Sequence, residues 1–241
     1  MREVKITDDL PTFQANVSPD SQEIYLADTD KNHAINVLRL KPDSFCFATD
    51  GRGGFWKARI INFEGQLTIV ESLSGFGESL FRPRLVVGVL KHPQHWEWLL
   101  EKTTELGAIE ITPLYCERTD KHARINRERC QKILWAAVKQ CRRSFLPMLQ
   151  ESVTFSEWFN ALQNPERCWL ANQNGSDFPV TTAHHSLDTC LIGPEGDFSQ
   201  NELKKLAAIG IPAFNIGKNR LRAETAAIVA LAYMNAGFSN R

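Results

Sequence analysis

Leu191-Ile192-Gly193-Pro194-Glu195-Gly196 and, about two dozen residues later, Ile216-Gly217-Lys218-Asn219-Arg220-Leu221-Arg222-Ala223-Glu224-Thr225-Ala226 follow one plan: a short apolar strand enters a loop, and the loop opens a helix. An α/β sheet binds its ligands outside the carboxyl ends of its strands, so the two loops read as facing walls of one pocket. Gly193, Pro194 and Gly196 make the first wall one of backbone amides and carbonyls instead of long side chains. The second wall is charged, through Lys218, Arg220, Arg222 and Glu224.

Working back from these loops, the chain alternates strands and helices. Leu85-Val86-Val87-Gly88-Val89-Leu90 is a continuous apolar run that predicts a strand buried on both faces, residues 94–106 predict a helix stopped by Gly107, and residues 109–114 predict the next strand. Cys168-Trp169-Leu170-Ala171, Cys190-Leu191-Ile192 and Ala213-Phe214-Asn215-Ile216 predict further strands, with helices near 155–162, 200–208 and 223–237. This pattern is that of an α/β domain with a largely parallel sheet. Ser199-Gln200-Asn201-Glu202 has the form of a capping box, which fixes where the helix after the first loop begins.

Earlier residues read differently. Ile24-Tyr25-Leu26, Phe45-Cys46-Phe47-Ala48, residues 55–61 and residues 66–70 are short strand candidates, and the glycine-rich turn Asp50-Gly51-Arg52-Gly53-Gly54 joins two of them as a hairpin. Closure of such strands into a small β-barrel is expected, with a short helix over 33–40 and His33 as a structural polar residue. Ser74-Gly75-Phe76-Gly77-Glu78 marks a boundary; it lacks a third glycine and Pro83 interrupts any following helix, so it is no dinucleotide loop. The expected division is a barrel over 1–75, a linker over 76–83 and an α/β domain over 84–241.

The 241 residues carry 28 Lys+Arg and 28 Asp+Glu, but this balance hides an asymmetry. Nine Lys and Arg lie from Arg118 to Arg143 against only Asp120 and Glu128. On a helix with about 100° per residue, Arg129, Lys132, Lys139 and Arg143 share one sector, while Cys130, Ile133, Leu134, Ala137 and Cys141 share another. A solvated surface face is one reading. The four cations, taken to lack acidic i, i+4 partners among them, repel one another, and an anionic polymer such as RNA suits them better.

Six scattered cysteines without C-x-x-C spacing indicate neither a zinc site nor a disulfide framework. His92 and His95 form an H-x-x-H and His184-His185 are adjacent, but neither pair has a third ligand, so no metal is assigned. Residues 226–234 are the longest apolar run, well short of the ~18 of a membrane span, and no signal pattern opens the chain; a cytoplasmic protein is expected. Neither a Walker A loop nor a G-x-G-x-x-G loop is present, which excludes the common nucleotide-binding motifs.

Leu191-Ile192-Gly193-Pro194-Glu195-Gly196 followed by Phe198-Ser199 and Glu202, and Gly217 followed by Leu221-Arg222-Ala223-Glu224-Thr225-Ala226, resemble the RsmE-type ribosomal RNA methyltransferases of the SPOUT (trefoil-knot) superfamily. Lys102-Thr103-Thr104-Glu105-Leu106-Gly107, Gln140 with Arg143 and Pro147, and His33 with Val37-Leu38-Arg39 extend the resemblance over nearly the whole chain. Two positions depart from the family pattern. Asp197 stands where a second glycine is usual, and Asn219-Arg220 replaces a basic-then-aliphatic pair.

The resemblance implies an N-terminal PUA-like barrel, a C-terminal knotted α/β domain and a homodimer. It implies methyl transfer from S-adenosylmethionine to N3 of a uridine in 16S ribosomal RNA, within the assembled small subunit. Cofactor contacts are then expected at Leu170, Leu191, Ile192, Gly193, Pro194, Glu195 and Gly196, and at Ile216, Gly217, Leu221 and Ala226. Arg129, Lys132, Lys139, Arg143 and Arg220 are the RNA-binding candidates. Arg222 and Glu224 are the catalytic candidates: Arg222 to stabilise a uridine anion or grip RNA, Glu224 to orient it or accept the proton. A first-turn glutamate complementing the helix dipole is an equal reading of Glu224. Methylation of another RNA or of a ribose 2'-OH, and a non-catalytic RNA-binding role, stay open at this point.

Overall fold

A computed structural model of the chain describes residues 9–17, 24–179 and 186–239. They form two compact units. Residues up to Glu78 together with Trp135–Leu146 make the first, and Ser79–Leu134 with Pro147–Arg241 make the second.

In the first unit, β1 (Thr12–Val17), β2 (Ile24–Leu26), β3 (Phe45–Thr49), β4 (Phe55–Ile60) and β5 (Gln66–Ser72) close into a barrel in the order β1-β2-β5-β4-β3. Alternation builds its core: Phe13 and Ala15, Ile24 and Leu26, Ala58 and Ile60 all point inward and are buried. The expected barrel is present, but the strand that closes it is one that TFQANV did not announce, because only two of its six residues are inward-facing apolar ones. β1 pairs antiparallel with β2 and parallel with β3. The helical segment starts earlier than expected, as α1 (Asp28–Asn32), and runs into a π-helical turn at His33–Val37. His33 is exposed and packs edge-on to Phe13 with ring centroids 6.4 Å apart.

In the second unit, β6 (Arg84–Gly88), α2 (Pro93–Glu105) and β7 (Glu110–Tyr115) are followed by α3 (Arg127–Cys141), whose last residues belong to the first unit. Two short strands, β8 (Met148–Leu149) and β9 (Val153–Thr154), come next, then α4 (Phe155–Ala161) and β10 (Cys168–Asp177). The chain ends with β11 (Thr189–Ile192), α5 (Gln200–Ala208), β12 (Ala213–Asn215) and α6 (Ala223–Ser239). The sheet order is β12-β10-β11-β6-β7-β8, with β9 also pairing β7 and every pairing parallel. α2 ends where expected, Gly107 following it at φ 89° in the left-handed region that glycine enters without strain. α6 returns from the edge strand β12 to pack on α2 and across β11 and β6. Apolar burial explains the interior strands: Leu85, Val87, Leu114 and Leu191 are fully buried. Burial also keeps cysteines here unreactive, pushing the Cys168 thiol up to about 11 and Cys190 well above its ordinary value.

The basic stripe does not survive folding as a row of unpaired cations. Arg129 is bound by Glu97, whose carboxyl the Arg129 hydrogen bond holds below its usual range, and Lys132 Nζ lies 2.6 Å from Glu128, an i, i+4 partner that the helical projection had left out. Lys139 Nζ donates to both Asp30 oxygens at 2.6 and 2.9 Å. Arg143 lies beyond the end of α3, because Arg142 at φ 57° turns the chain, and it is buried against Glu78 with Nη2 to Oε2 at 2.8 Å. Glu78 Oε1 also accepts the Ser144 and Phe145 N–H groups. Lys139 and Arg143 thus tie α3 and its exit to the barrel within the first unit. Lys139→Ala, which leaves buried Asp30 holding only the Gln14 N–H among its described partners, is expected to cost about 2 kcal/mol in urea unfolding. That is less than the ~3–5 kcal/mol of a fully buried pair, since the lysine side chain is a quarter exposed.

Candidate active site

Because the strands of the second unit run parallel, the carboxyl ends of β6, β7, β10, β11 and β12 share one edge of the sheet. A cleft of about 640 Å³ opens there, within the range of small-molecule sites. Ile192, Gly193, Pro194, Glu195 and Gly196 line one side of it, and Ile216, Gly217, Arg220, Leu221, Arg222, Glu224 and Ala226 the other. Two expected contacts are not on its surface. Leu170 and Leu191 are in register on β10 and β11, and both are buried in the core with Leu114, Phe155 and Phe198; the pleat turns Ile192 to the cleft instead.

The loop after β11 is held from several directions. Glu195 Oε1 accepts the Lys91 N–H at 2.9 Å, and Arg118 Nη1 donates to the Gly196 carbonyl at 3.3 Å. Glu195 therefore lines the cleft while serving as an anchor. The capping box at Ser199 and Glu202 is formed, and Glu202 Oε1 also accepts the Glu117 N–H at 2.9 Å. Asp197 has φ 60°, in the left-handed region that aspartate enters more readily than most residues with a side chain, and its Oδ1 accepts the Phe198 N–H at 2.7 Å. Asp197→Ala is expected to lose ~1 kcal/mol of stability by denaturant unfolding, because alanine keeps the backbone strain and loses the hydrogen bond, whereas Asp197→Gly stays within ~0.5 kcal/mol of the parent.

Lys91, His92, His95, Arg118 and Asp120 also line the cleft, and none of them was assigned a role from the sequence. They follow β6 and β7, so the rule that placed the two C-terminal loops, applied to every parallel strand, points to them as well. Lys91 Nζ lies 3.2 Å from Asp120, whose carboxyl is held below its usual range first by the His122 N–H and then by Lys91. Asn172, Gln173 and Asn215 also line the cleft, because β10 runs on past Ala171 and Asn215 Oδ1 accepts the Gly217 N–H at 3.0 Å.

At the start of α6 the two catalytic candidates differ in exposure. The Arg222 side chain is 76% exposed and that of Glu224 only 9%. Glu224 Oε1 is 3.7 Å from His95 Nδ1 and 4.0 Å from Arg222 Nη1, so the carboxylate sits in the first helical turn and in the cleft together. The His92 and His95 rings meet edge to face at 5.4 Å. Among the described residues no group of three His, Cys, Asp or Glu is placed to hold a metal ion; His184 and His185 lie outside those residues.

A family model for an RNA methyltransferase domain matches residues 78–235, and one for an RNA methyltransferase PUA domain matches residues 26–70. The chain is 30% identical over 221 residues to the ribosomal RNA small subunit methyltransferase E of Synechocystis sp., covering 88% of this chain and 73% of that one. The solved structure of a probable rRNA methyltransferase from Porphyromonas gingivalis superposes with a TM-score of 0.82 at 28% identity, over 96% of this chain and all of the other. The ribosomal RNA small subunit methyltransferase E from Neisseria gonorrhoeae, solved bound to S-adenosyl methionine, superposes with a TM-score of 0.82 at 25% identity, over 94% and 97% of the two chains.

Proposed function

The chain belongs to the RNA methyltransferase family, and from that membership we propose that it transfers a methyl group from S-adenosylmethionine to N3 of a uridine in small-subunit ribosomal RNA. The observation that carries this reading is the cleft itself, with a backbone-rich loop on one side and the exposed Arg222 over the buried Glu224 on the other.

The residues present suit the cofactor. Ile192, Ile216 and Leu221 offer apolar walls for an adenine ring, and the backbone groups of residues 193–197 and 216–217 offer polar partners without bulky side chains in the way. Bound there, the cofactor supplies a methyl carbon already activated by its sulfonium charge. What is left to the protein is alignment and charge. Holding the uridine N3 in line with that carbon removes most of the entropic part of the barrier. Loss of the N3 proton spreads negative charge over the two flanking carbonyl oxygens, and the Arg222 guanidinium provides donors for that charge in the cleft.

The same reading takes residues 1–75 as an RNA-binding barrel, 76–83 as a linker and 84–241 as the methyltransferase domain, supported by the match of the PUA model within the barrel. It takes the substrate as RNA in the assembled small subunit and the working form as a cytoplasmic homodimer. Among the described residues no helix is long and apolar enough to cross a membrane. Arg220, exposed on the rim of the cleft, and the exposed Arg129 and Lys132 are the RNA contacts that this reading keeps.

The test is transfer of labelled methyl from S-adenosylmethionine to small ribosomal subunits lacking the modification, followed by digestion and mass identification of the nucleosides. 3-Methyluridine is the expected product. Another methylated nucleoside would move the target while keeping cofactor and fold, and absence of label despite RNA binding would leave a non-catalytic protein.

A further inference from the structure

We infer that His95 is the group that takes the N3 proton, with Glu224 holding its imidazole in the tautomer that leaves Nε2 as the acceptor. This rests on the proposed uridine-N3 reaction. Its basis is the placement of His95 in the first turns of α2, lining the cleft, with Nδ1 3.7 Å from Glu224 Oε1. That separation is longer than a hydrogen bond, and such pairs commonly tighten when substrate is bound. The His95 side chain is 37% exposed and that of Glu224 only 9%, so the imidazole is the more accessible of the two groups to a base entering from solvent.

The choice between them follows from proton affinity as well as access. In water a carboxyl titrates near ~4 and an imidazole near ~6.5, and a general base works best when its affinity lies close to the working pH. An imidazole is the better acceptor for a weakly acidic imide. The N3 proton goes to His95 Nε2, and the electron pair left on N3 forms the new N–C bond. The bond from the methyl carbon to its donor breaks with its electrons staying on the donor sulfur, and the imidazolium returns its proton to solvent.

Other charged and titratable groups share the cleft with His95. From the start of α6 these are Glu224 and Arg222, and from the approach to α2 they are Lys91 and His92. The loop after β7 adds Arg118 and Asp120, with Asp120 paired to Lys91. Glu195, Asp197 and Arg220 complete the charged lining, and Glu195 already accepts the Lys91 N–H.

The experiment compares the wild type with His95→Gln and His95→Ala in methyl transfer to unmodified small subunits over pH, alongside cofactor affinity by calorimetry and the His95 tautomer by nitrogen-15 NMR. His95→Gln is expected to lower kcat about 100-fold, to leave cofactor affinity within about twofold, and to lack the acid limb of unit slope expected of the wild type. Added imidazole is expected to restore part of the activity of His95→Ala, which a purely structural loss would not allow. In the wild type the ring is expected as the Nδ1–H tautomer. A variant retaining the acid limb at near-parental rate, or an Nε2–H tautomer, overturns the assignment of His95 while the methyltransferase reading stands. A wild type that yields no 3-methyluridine overturns both.

Discussion

Arg222→Ala is expected to lower kcat for methyl transfer by about 10³-fold while cofactor affinity changes by less than about twofold, a loss near ~4 kcal/mol of transition-state stabilisation. The separation follows from where the residue stands. Its side chain is 76% exposed on the rim of the cleft, so little of the fold depends on it. The apolar walls at Ile192, Ile216 and Leu221 and the backbone of the loop after β11 remain in place without it. What disappears is the donor set for charge that develops on the uridine carbonyl oxygens only as the proton leaves, and an interaction made only then appears in kcat. Arg222→Lys keeps the charge but not the planar fork, so it is expected to recover only part of the rate. Transfer to small subunits and calorimetry on the same preparations check both quantities. Equal loss of transfer and cofactor affinity would make Arg222 a cofactor contact instead.

Local chemistry made much of this molecule readable. Leu85 through Val89 and Cys190 through Ile192 are runs too apolar for a solvated face, and the structure buries them at the centre of a parallel sheet. The capping box at Ser199 is a contact between neighbours in sequence, and it forms as read. Pairings between distant residues were not readable in that way. Nothing in the helical projection of residues 127–143 connects Lys139 to Asp30 or Arg143 to Glu78, so these cations passed for a surface stripe. The His95–Glu224 approach has the same character, joining the start of α2 to the start of α6 across more than a hundred residues of sequence. Asp197 is the intermediate case: its departure from glycine was visible, and its meaning came only with a φ of 60°.

Gly88→Val is expected to weaken cofactor binding at least about 100-fold and to lower the stability of the second unit by ~3 kcal/mol, the upper end of ordinary overpacking. In sequence Gly88 is only a gap in the apolar run of β6. In the fold, a Cβ on it would lie 2.3 Å from the Pro194 nitrogen and 2.8 Å from its Cα, both backbone atoms of the loop after β11. Neither atom belongs to a side chain that could rotate away. The loop must therefore move, and it is anchored on both sides by the Lys91 N–H on Glu195 and by Arg118 on the Gly196 carbonyl. Displacement breaks these hydrogen bonds and carries Gly193, Pro194 and Glu195 out of the wall they form. The smaller Gly88→Ala adds the same first carbon atom, so it is expected to show most of the loss of binding, with less loss of stability. Calorimetry of S-adenosylmethionine binding together with urea unfolding of both variants distinguishes a displaced loop from general unfolding. Near-parental affinity in folded Gly88→Val would mean that the loop has room to shift, and that the contact between β6 and Pro194 does not shape the cofactor wall.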